Sequence, residues 1–153
     1  MHSPHGWDAA VRPGDTNLGY SGDDMVQRGI LNPAINSLLC RVRHTNLLVI
    51  ADRGFPFFPD IETIDITLVD GIPTVLDVLR AIKQNFVFGR AYMAEEFRTT
   101  NSAAVVEPFS AVLAPVEPAF EPHVQLKQRV PHAVGLIRTA DTIPYANIIL
   151  ESA

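Results

Sequence analysis

The chain has a single cysteine, Cys40, in 153 residues, so no disulfide can form within it and a cytoplasmic setting is the expectation. It has no apolar run near the roughly 18 residues that a membrane-spanning helix needs. Its first residues hold neither an apolar core nor a basic start, so no secretory signal is predicted. Basic charge is scarce. Twelve Lys and Arg stand against 17 Asp and Glu, for a net charge of −5, with no basic cluster longer than two residues. That argues against nucleic acid or an anionic membrane surface as partner. A phosphate-cradling glycine loop is also missing, since Gly54 and Gly71 stand alone, and a nucleotide site is not expected. No HxH, HExxH or CxxC spacing occurs, so neither a metal nor another cofactor is predicted.

What is present fits one globular domain. Hydrophobic residues make up 47% and charged residues 19% of the chain, and the length suffices for a substantial core. Residues 1–28 are rich in Gly, Pro, Asp and Ser without periodicity and read as a flexible extension; Trp7 and Tyr20 offer possible docking points. The folded part, 29–153, opens with Asn32-Pro33, a helix cap followed by proline in the first turn. Ile35, Leu38, Leu39 and Val42 follow at helical spacing, and Cys40 beside them reads as a core thiol. Leu47 to Ala51 is wholly apolar, as befits a strand buried on both faces. Ile61 to Leu68 alternates as a second strand. Thr74, with Asp77 three residues on, caps a helix whose apolar side is Val75, Val78, Leu79, Ile82 and Phe86. Arg90 to Ala94 is a third strand, closed by Glu95-Glu96, which read as an exposed turn or, for one of the two, as a buried hydrogen-bond acceptor. Ser102 to Leu113 reads as a helix that Pro108 must kink or shorten. Val116 to Phe120 is an edge strand, given Pro118. A short helix over Val124 to Arg129 and strands over Val134 to Arg138 and Asn147 to Glu151 complete the pattern. Such alternation predicts an α/β fold, a three-layer α/β/α sandwich with a mostly parallel sheet. Ligands of such sheets bind beyond the carboxyl ends of the strands, where Asp52 and Glu95 fall.

The candidate chemistry lies in a few polar residues. His44, between a helix end and the first strand, is either a residue facing the helix dipole or a general acid/base. Asp52 directly follows a strand and either caps the next turn or holds an imidazole in one tautomer. His123 opens a short helix and reads as either a solvent-exposed residue or a site residue. His132 reads as a surface residue, and His2 and His5 lie in the extension. Tyr145 and Asn147, two residues apart in Pro144-Tyr145-Ala146-Asn147, would face one pocket if that stretch is extended. A phenol and a carboxamide there suit a polyhydroxylated ligand.

Seven strings in order carry a family likeness: Gly29-Ile30-Leu31-Asn32; His44-Thr45; Ile50-Ala51-Asp52-Arg53-Gly54 with Pro56; Ala94-Glu95-Glu96; Pro122-His123; Ile137-Arg138-Thr139; and Pro144-Tyr145-Ala146-Asn147. Over about residues 29 to 151 the chain resembles the D-ribose pyranase family, whose relatives include L-fucose mutarotase. The resemblance implies an isomerase of free monosaccharides without metal or cofactor, assembled into rings of five or ten copies with sugar sites near subunit contacts. By the same resemblance His44 matches a catalytic histidine and Asp52 its acidic, sugar-touching partner. His123, Tyr145 and Asn147 match substrate-binding positions, and Lys127 a basic position in the helix after His123. The chain departs from the pattern at Asn46, where the family usually has Asp, and at Arg53 and Phe55, where it has smaller residues. Phe55-Pro56 and Asp77 resemble the fucose side; His123 and Pro144-Tyr145-Ala146 resemble the ribose side.

Overall fold

The computed structural model describes residues 29–153, and the expectations for 1–28 lie outside the described residues. Helix α1 (Pro33–Arg41) starts where Asn32 Oδ1 accepts the backbone N–H groups of Ala34 and Ile35, two of the donors that a helix start leaves without partners. Ile35 and Leu38 turn to the sheet. Cys40 does not: two positions on from Leu38 it is rotated about 200° around the helix and is exposed, which corrects its reading as a core thiol. Strand β1 (Leu47–Ala51) and strand β2 (Glu62–Asp65) follow. Helix α2 (Val75–Asn85) has a complete capping box, with Thr74 Oγ1 accepting from Asp77 N and Asp77 Oδ2 accepting from Thr74 N. Asp77 therefore serves the helix end.

Strand β3 (Phe88–Ala94) runs directly into helix α3 (Glu95–Thr100). Glu95 and Glu96 thus form a helix's first turn, where carboxylates face the positive end of the dipole, and not the exposed turn that paired acids imply. Helix α4 (Ala103–Leu113) continues through Pro108, its second half pinned by buried Phe109 and Leu113. Strand β4 (Ala119–Glu121) begins just after Pro118; helix α5 (His123–Arg129) leads through a 3-10 turn, Val130–His132, into β5 (Ala133–Arg138), and β6 (Ile148–Ser152) closes the order.

The six strands form one sheet in the order β2-β5-β1-β6-β3-β4. Five run the same way, and β6 alone is antiparallel to both neighbours, β1 and β3. Side chains alternate between two cores. Leu48, Ile50, Met93, Ile137, Ile148 and Leu150 meet α1, α2 and α4 on one face. Val49, Ala51, Tyr92, Leu136 and Ile149 meet Leu126 of α5, Val130 and Phe55 on the other. This is the three-layer α/β/α arrangement of one domain, with a thin second layer.

Helix α1 lies so close to β5 that a Cβ on Gly135 would stand 2.7 Å from Leu38 Cδ1 and 3.2 Å from the Glu62 carbonyl oxygen. Gly135→Ala is therefore predicted to destabilise the fold by about 1–3 kcal/mol, the range for overpacking a filled core. Urea unfolding with an unchanged m-value would register it; unaltered stability would contradict this packing.

Candidate active site

At the carboxyl end of β1 the chain turns at Asp52, whose Oδ1 accepts the N–H of Gly54 at 2.9 Å. Its other oxygen, Oδ2, accepts from Asn147 Nδ2 at 3.0 Å, while Asp52 N donates to Asn147 Oδ1 at 2.7 Å. The amide is buried at 2% exposure, so its two ends are satisfied by one residue. Hydrogen bonds to a charged group contribute about 1.5–3 kcal/mol, and breaking one leaves its partner buried and unsatisfied. The antiparallel course of β6 is what makes this pairing possible. It pairs Ile50 with Ile148, so the residue before β6 lies beside the residue after β1.

The aromatic loop after Asp52 is held from below by Arg138, which donates to the carbonyls of Phe55 at 2.6 Å and Arg53 at 3.2 Å. Phe55 is buried, whereas Phe57 is exposed. Arg53 leans outward to an ion pair with Asp70. Phe55 stands edge-on to His123, with ring centroids 6.1 Å apart, and His123 stands edge-on to Tyr145 at 5.1 Å. His123 opens α5 behind Pro122, which cannot cap a helix with its side chain; Glu96 Oε2 accepts the His123 backbone N–H instead, at 2.9 Å. The imidazole Nδ1 is buried without a hydrogen-bond partner among the described residues. Burial first, and then the Lys127 ammonium, hold the His123 pKa below its ordinary 6.5, against the opposing pull of Glu96 and Asp52.

Tyr145 reaches the same space by a route other than the extended stretch read from sequence. Residues 143–145 form a turn, and Tyr145 has φ 59°, the left-handed region that bulky residues rarely adopt. The turn is anchored on both sides. Asn101 Nδ2 donates to the Pro144 carbonyl at 2.9 Å. Asp141, 1% exposed, accepts from Ile143 N and from Val75 N at the start of α2, each at 2.8 Å. Thr139 sends both its N–H (2.8 Å) and its hydroxyl (2.9 Å) to the Ala51 carbonyl. Asp141, Thr139 and Asn101 were not singled out from sequence as supports of the site, whereas Glu96 takes the acceptor role that the Glu95-Glu96 pair allowed. Asp141 left a usable trace, since an aspartate accepting from the second residue on is a turn signature.

Asp52, Gly54, Phe55, His123, Tyr145 and Asn147 thus line one open cavity of about 300 Å³, at the small end of the roughly 300–1,000 Å³ of ligand pockets. Lys127, half-exposed on α5, lies one helical turn beyond His123 but outside that lining. His44 is not there. It is exposed in a turn that Asn46 shapes by accepting the Arg43 N–H at 2.8 Å, and it faces a separate cavity of about 340 Å³ with Arg90, Glu151 and Ser152. Strand β1, five residues at about 3.3 Å each or roughly 16 Å, stands between His44 and Asp52. The expectation that Asp52 orients His44 is corrected for a single chain: the two sit at opposite ends of one strand. The imidazole beside Asp52 is His123. A larger cavity, about 500 Å³, opens beside β4 at Arg98, Ser110 and Phe120, but it gathers no imidazole, phenol or carboxamide. Among the described residues, no three His, Cys, Asp or Glu side chains converge as a metal-binding group.

A family model described as the RbsD / FucU transport protein family matches residues 25–153. A D-ribose pyranase of Geobacillus thermodenitrificans (strain NG80-2) is 40% identical over 128 residues, which cover 84% of this chain and 96% of that protein. One of Bacillus cereus (strain 03BB102) is 37% identical over 130 residues, covering 84% and 97%. Among solved structures, Bacillus subtilis RbsD complexed with D-ribose superposes with a TM-score of 0.79 at 28% identity, over 84% of this chain and 98% of that one. The fucose mutarotase of Streptococcus pneumoniae in complex with L-fucose shares the fold, with a TM-score of 0.68 at 16% identity, over 80% and 92%.

The depressed His123 pKa has a stability consequence. Between its folded value and 6.5 the unfolded chain binds the proton and the folded one does not, so acidification through that window favours unfolding. Urea unfolding followed as pH falls through this range is expected to show a steeper loss of stability in the wild type than in His123→Gln. Parallel slopes would contradict the environment described for this imidazole.

Proposed function

The chain belongs to the RbsD/FucU family, and from that membership we propose that it is an isomerase of free monosaccharides, a pyranase or mutarotase. D-ribose is the foremost substrate, passing between pyranose and furanose forms. The observation that carries this reading is the convergence of Asp52, His123, Tyr145 and Asn147 on one open, sugar-sized cavity. The curated relatives that bear the name D-ribose pyranase and the ribose-bound neighbour support it.

Exchange of ring form requires the hemiacetal to open. A base takes the proton of the anomeric hydroxyl, the carbonyl forms, the bond from the anomeric carbon to the ring oxygen breaks, and an acid protonates that oxygen. Closure onto another hydroxyl, or onto the other face, reverses the transfers. The reaction neither consumes nor yields a net proton, and each positioned proton-transfer group contributes about 10²- to 10⁴-fold. Neutral His123 is suited to accept a proton near pH 7. Asp52, fixed by Asn147 and Gly54, and the Tyr145 phenol are placed to hold sugar hydroxyls, and Lys127 adds positive charge one turn from His123.

His44 enters through assembly. In a ring of five or ten copies, the exposed His44 turn of one subunit reaches the Asp52 cavity of another and supplies the second proton-transfer group. A setting in the cytoplasm, acting on free sugar, belongs to the same reading; no helix among the described residues is long and apolar enough to cross a membrane. A second reading, a mutarotase of L-fucose or another deoxy sugar, draws on Phe55, whose buried ring gives the cavity an apolar wall suited to a sugar methyl.

Saturation-transfer NMR on a panel of free sugars tests both readings. Accelerated exchange is expected for D-ribose first, whereas ligand-induced shifts without acceleration would make the protein a binder. His44→Ala and Asp52→Asn are each expected to lower exchange by about 10²-fold or more. Mixed and co-assembled, the two variants are expected to recover part of the activity, because some sites then combine an intact His44 with an intact Asp52. Absence of recovery would sink the shared site.

A further inference from the structure

Helix α3 contributes no group to the sugar cavity, yet both of its ends reach residues that do. At its start, Glu96 Oε2 accepts the backbone N–H of His123, 27 residues away. Just past its end, Asn101 Nδ2 divides between the Phe97 carbonyl at 2.8 Å, which closes the helix, and the Pro144 carbonyl at 2.9 Å, which adjoins Tyr145. The helix between these contacts is firmly seated. Phe97 is wholly buried and packs against Phe109 with ring centroids 4.8 Å apart. Glu95 is occupied by the Arg98 guanidinium at 2.8 Å, and that guanidinium lies over the Phe120 ring. Of the two adjacent acids, Glu96 alone is turned toward the site.

We propose that Glu96 and Asn101 are the positioning residues of this site, α3 acting as a rigid brace that holds the His123 imidazole and the Tyr145 phenol against each other. Three observations require such a brace. Pro122 leaves the start of α5 without a cap from its own segment. Tyr145 stands in the left-handed region, which a bulky residue keeps only when its surroundings hold it there. The His123 and Tyr145 rings meet edge to face at 5.1 Å, so displacement of either moves the other. Glu96 has an electrostatic part as well. The charged groups acting on His123 are Lys127 on its own helix, Glu96 on α3 and Asp52 after β1, with the uncharged Tyr145 and Phe55 rings packed against it. Removing the Glu96 charge leaves Lys127 opposed by Asp52 alone.

This inference rests on the proposed sugar site only in its kinetic arm. The first arm is an NMR titration of the His123 imidazole in the full chain, without sugar. Glu96→Gln and Glu96→Ala are both expected to lower the His123 midpoint relative to wild type, through loss of the Glu96 charge. The second arm measures exchange of D-ribose. Glu96→Ala and Asn101→Ala are each expected to lose roughly ten-fold or more in kcat/KM, the scale of a small misplacement of a reacting group. Glu96→Gln, which keeps an oxygen for the His123 N–H, is expected to restore most of the KM lost in Glu96→Ala while retaining the shifted pH profile. Unmoved midpoints in both Glu96 variants, or full kcat/KM in both alanine variants, would overturn the brace. Should Glu96→Ala fail to fold, the Glu96→Gln titration and Asn101→Ala still decide. A shifted midpoint in a protein that accelerates no sugar exchange would leave the Glu96 arm standing and remove the isomerase reading.

Discussion

The reciprocal hydrogen bonds between Asp52 and Asn147 tie together the two chain segments on which the candidate site is built. They join two points 95 residues apart and fix the carboxylate in the cavity. They exist because one strand of an otherwise parallel sheet runs backwards. In a fully parallel sheet the residue preceding a strand lies at the end opposite the usual ligand crevice. Reversing β6 delivers Tyr145 and Asn147, which precede it, to the end where Asp52 follows β1. One inverted strand thus gathers on a single rim residues that chain order alone would place at opposite ends of the sheet.

The electrostatics of that rim are a balance of opposed influences. Asp52 and Glu96 favour the imidazolium, while burial and Lys127 favour the neutral ring, and the neutral form prevails. Among the described residues the buried Nδ1 of His123 has no hydrogen-bond partner.

Much of the fold was legible because its signals are local. The Asn32-Pro33 start, the Thr74–Asp77 box, the apolar run of β1 and the edge strand after Pro118 each specify an element within a few residues. The candidate site was legible in composition but not in arrangement. Tyr145 and Asn147 do share a pocket, by way of a turn and not the period of a strand. His44 and Asp52 were paired by the family resemblance, and within one chain the five-residue strand between them sets them at opposite ends of the sheet. Cys40 was assigned to the core from its neighbours' character, not its own angle on the helix. Glu96, Asn101 and Asp141 act through backbone groups of distant segments, and such contacts leave little imprint on local pattern.

The position of β6 in the sheet has a further consequence, for biogenesis. It follows every other element in chain order, yet lies between β1 and β3 and is the strand that joins the β2-β5-β1 group to the β3-β4 pair. As the polypeptide emerges from the ribosome, these two groups stay unjoined, their inner edges open, until β6 pairs between them. Completion of the sheet and creation of the Asp52–Asn147 contact therefore come together, and until β6 is in place the cavity is unfinished.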